Sequence, residues 1–307
     1  MTTPAQRPAR LDVGVVGAGR VGAVLGAALR QAGHRVRAVS AVSQASRDRA
    51  AALLPGVPVR PVEEVVEQAE LVLLAVPDDA LADLVRGLSV TGRWQAGQIV
   101  AHTSGLHGTA VLEPARRHHV LGLALHPAMT FTGTAMDLTR LTDCCFGVTA
   151  ADQLRPVAEA LVVEMGAEPV WVAEASRAAY HTGLAHGANH LVTLVAQAMQ
   201  VLANAGIPQP GRVISPLLQA ALDNAVRLGD AALTGPVARG DGGTVAVHLD
   251  VLSRETADLL PTYLALARAT AERALASGRL TPASAEPLLQ VLAAARGEAR
   301  GEDTESP

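Results

Sequence analysis

The sequence contains no lysine: all 25 residues counted as Lys plus Arg are arginine. This absence excludes every mechanism in which a lysine ammonium serves as acid, base or Schiff-base partner. Cysteine is almost as scarce, with only Cys144 and Cys145 in 307 residues. Because a disulfide between neighbours is strained, we expect two buried thiols in a reducing compartment.

Aromatic residues make up only 2% of the chain, so Ala, Val and Leu must supply most of the packing. The net charge of −4 and the shortage of stacking rings argue against a nucleic-acid partner. No apolar run reaches the roughly 18 to 20 residues that span a bilayer, and the opening MTTPAQRPAR lacks the apolar core of a secretory signal. We therefore expect a cytoplasmic protein with no membrane partner.

Up to Glu174 the sequence alternates between strand-like and helix-like segments. The predicted helices include 46–54, 80–88 and 151–165. This alternation is typical of an α/β Rossmann domain with a mostly parallel sheet, which we predict over residues 11–174. The predicted strands lie in LDVGVVG, RVRAVS, LVLLAVP, GQIVAHTSG, HHVLGLALHP, CFGVTA and EPVWVAE.

The sequence beyond this domain has no strand-like runs. Residues 175–296 show only helical periods and predict an all-α second domain. Residues 1–10 and 297–307 are predicted to be flexible termini.

A glycine-rich segment follows the first predicted strand directly and opens a helix. In this context G-x-G-x-x-G predicts a dinucleotide site, in which the glycines allow a tight turn and a close approach to a pyrophosphate. The helix N-terminus adds free N–H groups and a favourable dipole. A glycine turn without a ligand is the alternative. The candidate cofactor-binding residues here are Gly17, Ala18, Gly19, Arg20, Val21 and Gly22.

The second strand indicates which dinucleotide is bound. An NAD site usually presents Asp or Glu to the ribose about twenty residues after the glycines, and no carboxylate is found here. Ser40, Ser43, Ser46 and Arg47 instead offer hydroxyls and a guanidinium to a 2′-phosphate, which favours NADP(H). Ser46 is also a candidate N-cap of its helix.

Two further strand ends should reach the ligand crevice of a parallel sheet. Val76 and Pro77 follow the third strand and are predicted to line the nicotinamide side. Ser104 and Gly105 follow the fourth strand, where they either cradle a substrate anion or form a plain turn.

Several motifs together resemble the Rossmann-like proteins with a DUF2520 C-terminal domain, over about residues 11–296. These motifs are VVGAGRVG, LAVPDDAL, AHTSG, LHPAMTF, YHTGLAHGANHLVTL and LTGPVARGDGGTVAVHL. The group is related to 2-dehydropantoate 2-reductase and pyrroline-5-carboxylate reductase. The resemblance implies an NADP-dependent reductase that forms a homodimer through its helical domain. Better-known relatives place a lysine on the long helix as proton donor, which is impossible in this chain.

The first helix of the second domain carries the replacement candidates. His186 and Asn189 lie near the place where the relatives put their catalytic lysine and asparagine, so we expect His186 to be the acid and Asn189 to orient the carbonyl. His190 would lie beside them and contact the substrate. His181 or Tyr180 is the alternative donor. The histidines are also consistent with packing or with a dimer interface, and no third ligand supports a metal site.

A second group of candidates is spread over the chain. Arg239, in a glycine-flanked loop, is suited to clamp a substrate carboxylate. Asp241 or Thr244 would cap the next helix, and with His248 they would complete the substrate pocket or serve only as cap and interface. His126, at a strand end before a proline, is a second acid candidate.

The function predicted first is NADPH-dependent reduction of a small 2-oxo acid, ketopantoate-like. An imine reductase resembling pyrroline-5-carboxylate reductase is the alternative within the enzymes. A protein that binds NADP(H) without turnover is the alternative from another class.

Overall fold

The computed structural model describes residues 10–301. The predicted alternation of strands and helices, followed by a helical C-terminal region, is confirmed. The elements are β1 (Asp12–Val16), α1 (Arg20–Gln31), β2 (Arg35–Ser40), α2 (Gln44–Leu53), α3 (Val62–Glu67), β3 (Leu71–Leu74), α4 (Asp78–Val90), β4 (Ile99–His102), α5 (Glu113–Arg116), β5 (Leu121–Pro127), α6 (Met136–Arg140), β6 (Cys145–Ala150), α7 (Arg155–Glu164), β7 (Glu168–Trp171), α8 (Arg177–Asn204), α9 (Pro210–Leu228), α10 (Gly235–Arg239), α11 (Gly242–Glu255), α12 (Leu260–Ala276) and α13 (Pro282–Gly301).

The described residues divide into two compact units, with the boundary between Gly187 and Ala188. The first eleven residues of α8 therefore belong to the first unit and the rest of that helix to the second.

The seven strands of the first unit form one sheet in the order β2-β1-β3-β4-β5-β6-β7. All neighbouring pairs are parallel except β5 and β6. Residues 128–144 connect β5 to β6 and include the five-residue α6, and β6 returns antiparallel to β5.

Each face of the sheet has its own apolar core. On one face Leu25 of α1 and Leu161 of α7 pack with Phe146 of β6. On the other face Val65 of α3 and Leu81 of α4 pack against the central strands. Burial on both faces explains the nearly continuous apolar runs of the strands and fixes the carboxyl ends of the strands at one edge.

In the second unit a core forms among α11, α12 and α13, with Val245, Ala271 and Leu288 fully buried. Helix α9 has no buried residue. Within residues 10–301 no helix is long and apolar enough to cross a membrane.

Both predicted termini need correction where they are described. The tail predicted from residue 297 is still helical up to Gly301, because Glu, Ala and Arg in this segment are good helix formers. Arg10 is held by an ion pair of 2.7 Å with Glu164. The remainder of the predicted termini, 1–9 and 302–307, lies outside the described residues.

The cysteine prediction is half wrong. Cys144 is buried, and burial raises the pKa of its thiol to about 11. Cys145 is exposed as the first residue of β6, whereas the next four residues of this strand are buried.

Candidate active site

The predicted glycine turn joins β1 to α1. Gly17 has a φ of +97°, which a residue with a side chain adopts only with strain. A Cβ on Gly22 would collide with the carbonyl of Gly17, whereas a Cβ on Gly19 would meet nothing within 4 Å. The turn is therefore closely packed at Gly22 and leaves open space next to Gly19, as the approach of a pyrophosphate requires.

An open cleft of about 390 Å³ lies above this turn. The cleft includes the predicted residues Val76 and Pro77, and it brings in Arg49, which sequence reasoning missed. The lining residues are Gly19, Arg20, Val21, Arg49, Ala75, Val76, Pro77 and Thr103.

The two arginines of the cleft are available to an anion. Within residues 10–301 no carboxylate forms an ion pair with Arg20 or Arg49. A Cβ on Gly133 would lie 2.9 Å from Cδ of Arg49 and 3.0 Å from Cγ of Arg20, so the loop containing Gly133 packs on both stems. The periodicity of α2 gave no sign that Arg49, rather than Arg47, would face the cleft.

Asp137 holds this loop in place. Its fully buried carboxylate accepts hydrogen bonds from the N–H groups of Thr132 (2.8 Å) and Gly133 (2.7 Å) and from Oγ1 of Thr132 (2.9 Å). Burial alone would raise the pKa of Asp137, but these hydrogen bonds outweigh it and lower the pKa below its ordinary value.

The serines predicted to bind a 2′-phosphate have partners within the chain. Oγ of Ser40 accepts the N–H of Gly17 at 2.9 Å, so it fixes the turn. Ser43, not Ser46, is the N-cap of α2, and its Oγ accepts the N–H of Ser46 at 3.1 Å. Arg47 donates to the carbonyl of Val42 at 2.8 Å. Helix α2 begins two residues earlier than predicted, which accounts for the different cap.

A histidine–tyrosine cluster lies where α8 meets the sheet. Nδ1 of His126, in β5, and Oη of Tyr180 share a hydrogen bond of 2.9 Å. The ring of His181 lies edge-on to that of His126, with centroids 6.2 Å apart. This arrangement brings together the second acid candidate, His126, and both alternatives to His186.

Two glycines make room for this cluster. A Cβ on Gly147, in β6, would lie 2.5 Å from Oη of Tyr180. A Cβ on Gly105 would lie 2.7 Å from Cδ2 of His181 and 2.9 Å from Nε2 of His126. Gly105 was predicted to cradle a substrate, and it lies directly against the cluster.

Burial and a nearby charge set the protonation of the cluster. Burial, together with the Arg177 guanidinium, lowers the pKa of His126 to about 4. Burial raises the pKa of Tyr180, and Arg177 opposes that shift. With its pKa lowered to about 4, His126 is neutral at neutral pH and shares its hydrogen bond with Tyr180 in that form. The role of His126 as an acid stays a prediction.

Ser104 makes hydrogen bonds within its own turn and does not form an open anion-binding site. It is buried, its Oγ accepts the N–H of His107 at 3.0 Å, and its own N–H donates to Nδ1 of His102 at 3.2 Å. Nε2 of His102 lies 2.9 Å from the carbonyl oxygen of Gly108. The residues after β4 thus form an internally satisfied turn.

His186, Asn189 and His190 are all exposed on α8, and their roles in catalysis and substrate binding stay predictions. At about 100° per residue, His186 lies on the opposite side of the helix from Arg177, which points into the sheet. The sequence showed a shared face for His186 and Asn189, but not which face of α8 meets the sheet.

The remaining substrate candidates lie in the second unit. Asp241 is the N-cap of α11, and its carboxylate accepts from the N–H (3.0 Å) and Oγ1 (2.7 Å) of Thr244. Nδ1 of His248 and Oη of Tyr263 are 2.8 Å apart. Arg239 is exposed at the end of α10, and its role as a carboxylate clamp stays a prediction. Among the described residues no group of three His, Cys, Asp or Glu is placed to hold a metal ion.

Two family profiles match the sequence. Residues 1–127 match a Rossmann-like domain, and residues 144–270 match a domain of unknown function, DUF2520. The chain is a Rossmann-like protein with a DUF2520 domain. The resemblance read from the motifs is thereby confirmed.

Several solved structures have a similar fold. A Bacteroides fragilis protein named as an NADP oxidoreductase is 21% identical, with a TM-score of 0.73 over 86% of this chain and 98% of that chain. An imine reductase from Myxococcus stipitatus in complex with NADP+ is 18% identical, with a TM-score of 0.62 over 85% and 92%. A pyrroline-5-carboxylate reductase from Coxiella burnetii is 14% identical, with a TM-score of 0.53 over 87% and 98%. A comparison with curated proteins finds no match.

Proposed function

We propose that this protein is an NADPH-dependent reductase of a small 2-oxo acid, in which Tyr180 gives the proton. The observation that carries the proposal is the Tyr180–His126 pair in the same unit as the glycine turn. The solved structures of similar fold support it, since their names include NADP oxidoreductases and imine reductases.

The residues of the cleft fit the phosphates of a dinucleotide. The turn is open above Gly19, and Arg20 and Arg49 bring two guanidinium groups that no carboxylate within residues 10–301 neutralises. The end of β2 offers no acid to a ribose hydroxyl, which favours NADP(H) over NAD(H). When bound, NADPH supplies the hydride for the reduction.

The chain's own residues then have to bind the substrate and deliver a proton. Tyr180 is half-buried, and its Oη is held by a hydrogen bond with Nδ1 of His126. As negative charge develops on the substrate oxygen, the O–H bond of Tyr180 breaks and its proton passes to that oxygen. The buried Arg177 guanidinium favours this build-up of negative charge.

The charge of Arg177 favours one of the two candidate substrate classes, oxo acids and imines. A protonated imine would bring a second cation next to Arg177, whereas an oxo acid brings a carboxylate and develops negative charge at its oxygen. The geometry therefore supports C=O reduction first. Reduction of an imine that carries a carboxylate is the second candidate, favoured by the fold shared with the imine reductases.

We also propose that a second copy of the chain covers α9. Val213, Leu217 and Val226 on this helix are 58%, 69% and 78% exposed, and none of its residues is buried. Leaving such a helix in water is unfavourable, and a homodimer through the helical domain would cover it. Light scattering should show a dimer for the wild type and a smaller species for Leu217→Glu.

The enzymatic proposal is tested by following NADPH oxidation with a panel of 2-oxo acids and cyclic imino acids. We expect turnover of an oxo acid, with NADH a poorer donor. Turnover of imines alone would assign the second candidate and overturn the first. Tight NADPH binding without turnover of any compound would contradict both and favour a sensing protein.

A further inference from the structure

Arg177 is a buried cation whose hydrogen-bond acceptors are all uncharged. It is the first residue of α8 and is only 2% exposed. Its guanidinium donates to Oγ1 of Thr149 (2.8 Å) and to three carbonyl oxygens, those of Gly147 (3.0 Å), Ala124 (3.1 Å) and Ser104 (3.4 Å). All four acceptors are uncharged.

No carboxylate within residues 10–301 forms an ion pair with this charge. Glu174 favours the charged guanidinium electrostatically, but its carboxylate is hydrogen-bonded elsewhere. The Glu174 carboxylate accepts the N–H groups of Thr109 (2.8 Å) and Ala110 (3.1 Å). Burying an unpaired charge is costly, and an apolar side chain would fill the space more cheaply. Such a group therefore indicates a role beyond packing.

The charge faces the ring of Tyr180. The guanidinium carbon lies 5.8 Å from the ring centroid. The other titratable groups that act on or contact Tyr180 are His126 from β5 and Cys144 and Cys145 at the start of β6. His126 is neutral above about pH 4, and Cys144 keeps its proton at neutral pH because burial raises the pKa of its thiol to about 11.

We propose that Arg177 is a positioning residue that stabilises the phenolate of Tyr180 as this tyrosine gives up its proton. In the step, the O–H bond of Tyr180 breaks, the proton passes to the substrate oxygen, and the phenolate left behind faces the fixed guanidinium. Water returns the proton after product leaves. The proposal rests on the proposed function, but the coupling between the two side chains can be measured without any substrate.

The scarcity of aromatics makes that measurement clean. Tyr180 and Tyr263 are the chain's two tyrosines. In a Tyr263→Phe background, the ultraviolet absorption of the phenolate therefore reports the titration of Tyr180 alone. A further Tyr180→Phe change should abolish the signal.

Two variants separate charge from hydrogen bonding. Arg177→Gln keeps amide donors for the strand carbonyls but loses the charge, whereas Arg177→Lys keeps the charge. We expect the titration midpoint to rise by about 1 to 2 pH units in Arg177→Gln and to stay near the parent value in Arg177→Lys. Arg177→Met replaces the glutamine variant if circular dichroism shows that Arg177→Gln is unfolded.

A purely structural role gives a different result. Then the midpoint would be the same in folded Arg177→Gln and in the parent, while thermal stability fell, and the proposal would be overturned. A midpoint raised equally by Gln and Lys would also overturn it. A rise confined to the neutral variant, with no compound turned over, would uphold the Arg177–Tyr180 coupling and refute the reductase assignment alone.

Discussion

The free energy of unfolding should fall on acidification, and the buried His102 gives the clearest prediction of how much. His102 is fully buried at the end of β4. Its Nδ1 accepts the N–H of Ser104, so its Nε2 carries the proton and donates to the carbonyl oxygen of Gly108. Both nitrogens of the neutral ring are thus hydrogen-bonded. A second proton would have to bind Nδ1, where it would clash with the N–H of Ser104 and remove the acceptor of that hydrogen bond.

Burial lowers the pKa of His102 from 6.5 to about 4. Between these values the unfolded chain binds more protons than the folded chain, so the free energy of unfolding falls as the pH falls. The contribution of His102 is fully present above about pH 6.5 and is lost progressively towards pH 4. From these two pKa values, the loss between pH 7 and pH 5 is about 2 kcal/mol.

Urea unfolding at pH 7 and pH 5 measures this loss. His102→Gln retains an amide donor for Gly108 but does not titrate, so it should lose about 2 kcal/mol less than the wild type over the same interval. His119→Asn is the matched control, because His119 is exposed and asparagine tolerates its φ of +62°. Equal pH dependence in the wild type and in His102→Gln would refute the reasoning.

Three further substitutions test other parts of the account. Arg49→Ala should weaken NADPH and NADH binding alike, by about tenfold in calorimetry, because Arg49 lines the cleft at the glycine turn. A loss confined to NADPH would place Arg49 at the 2′-phosphate instead. Gly147→Ala should displace Tyr180 and lower kcat at least about tenfold with NADPH affinity intact, and an unchanged kcat would speak against the Tyr180 role. Asp137→Asn should lower the free energy of unfolding by about 2 kcal/mol in urea, and full stability would contradict the loop anchor.

Much of the fold could be predicted from local pattern. The apolar strand runs and the glycine turn determine β1 to β4 and α1, since burial on both faces leaves little ambiguity in such strands. The antiparallel return of β6 was not predicted, because the composition of β6 itself does not show its direction relative to β5.

The candidate site was harder to predict because it depends on which helix faces meet other elements. The three residues His181, His186 and His190 are equally polar in the sequence, and only the burial of Arg177 shows that the side of α8 with Tyr180 meets the sheet. Arg49 was missed for the same reason. Gly105 was a candidate because it follows β4, whereas Gly147 gave a signal only in retrospect, as a small residue next to a large one.

The comparison of Tyr180→Phe with His186→Ala tests the central claim most directly. Both variants are assayed for NADPH oxidation with the best substrate of the panel, after equal cofactor affinity has been established. If Tyr180 is the proton donor, Tyr180→Phe should lose about a hundredfold or more in kcat, while His186→Ala keeps a rate close to that of the wild type. An active Tyr180→Phe variant together with an inactive His186→Ala variant would contradict the account and indicate that His186, on the exposed side of α8, is the proton donor.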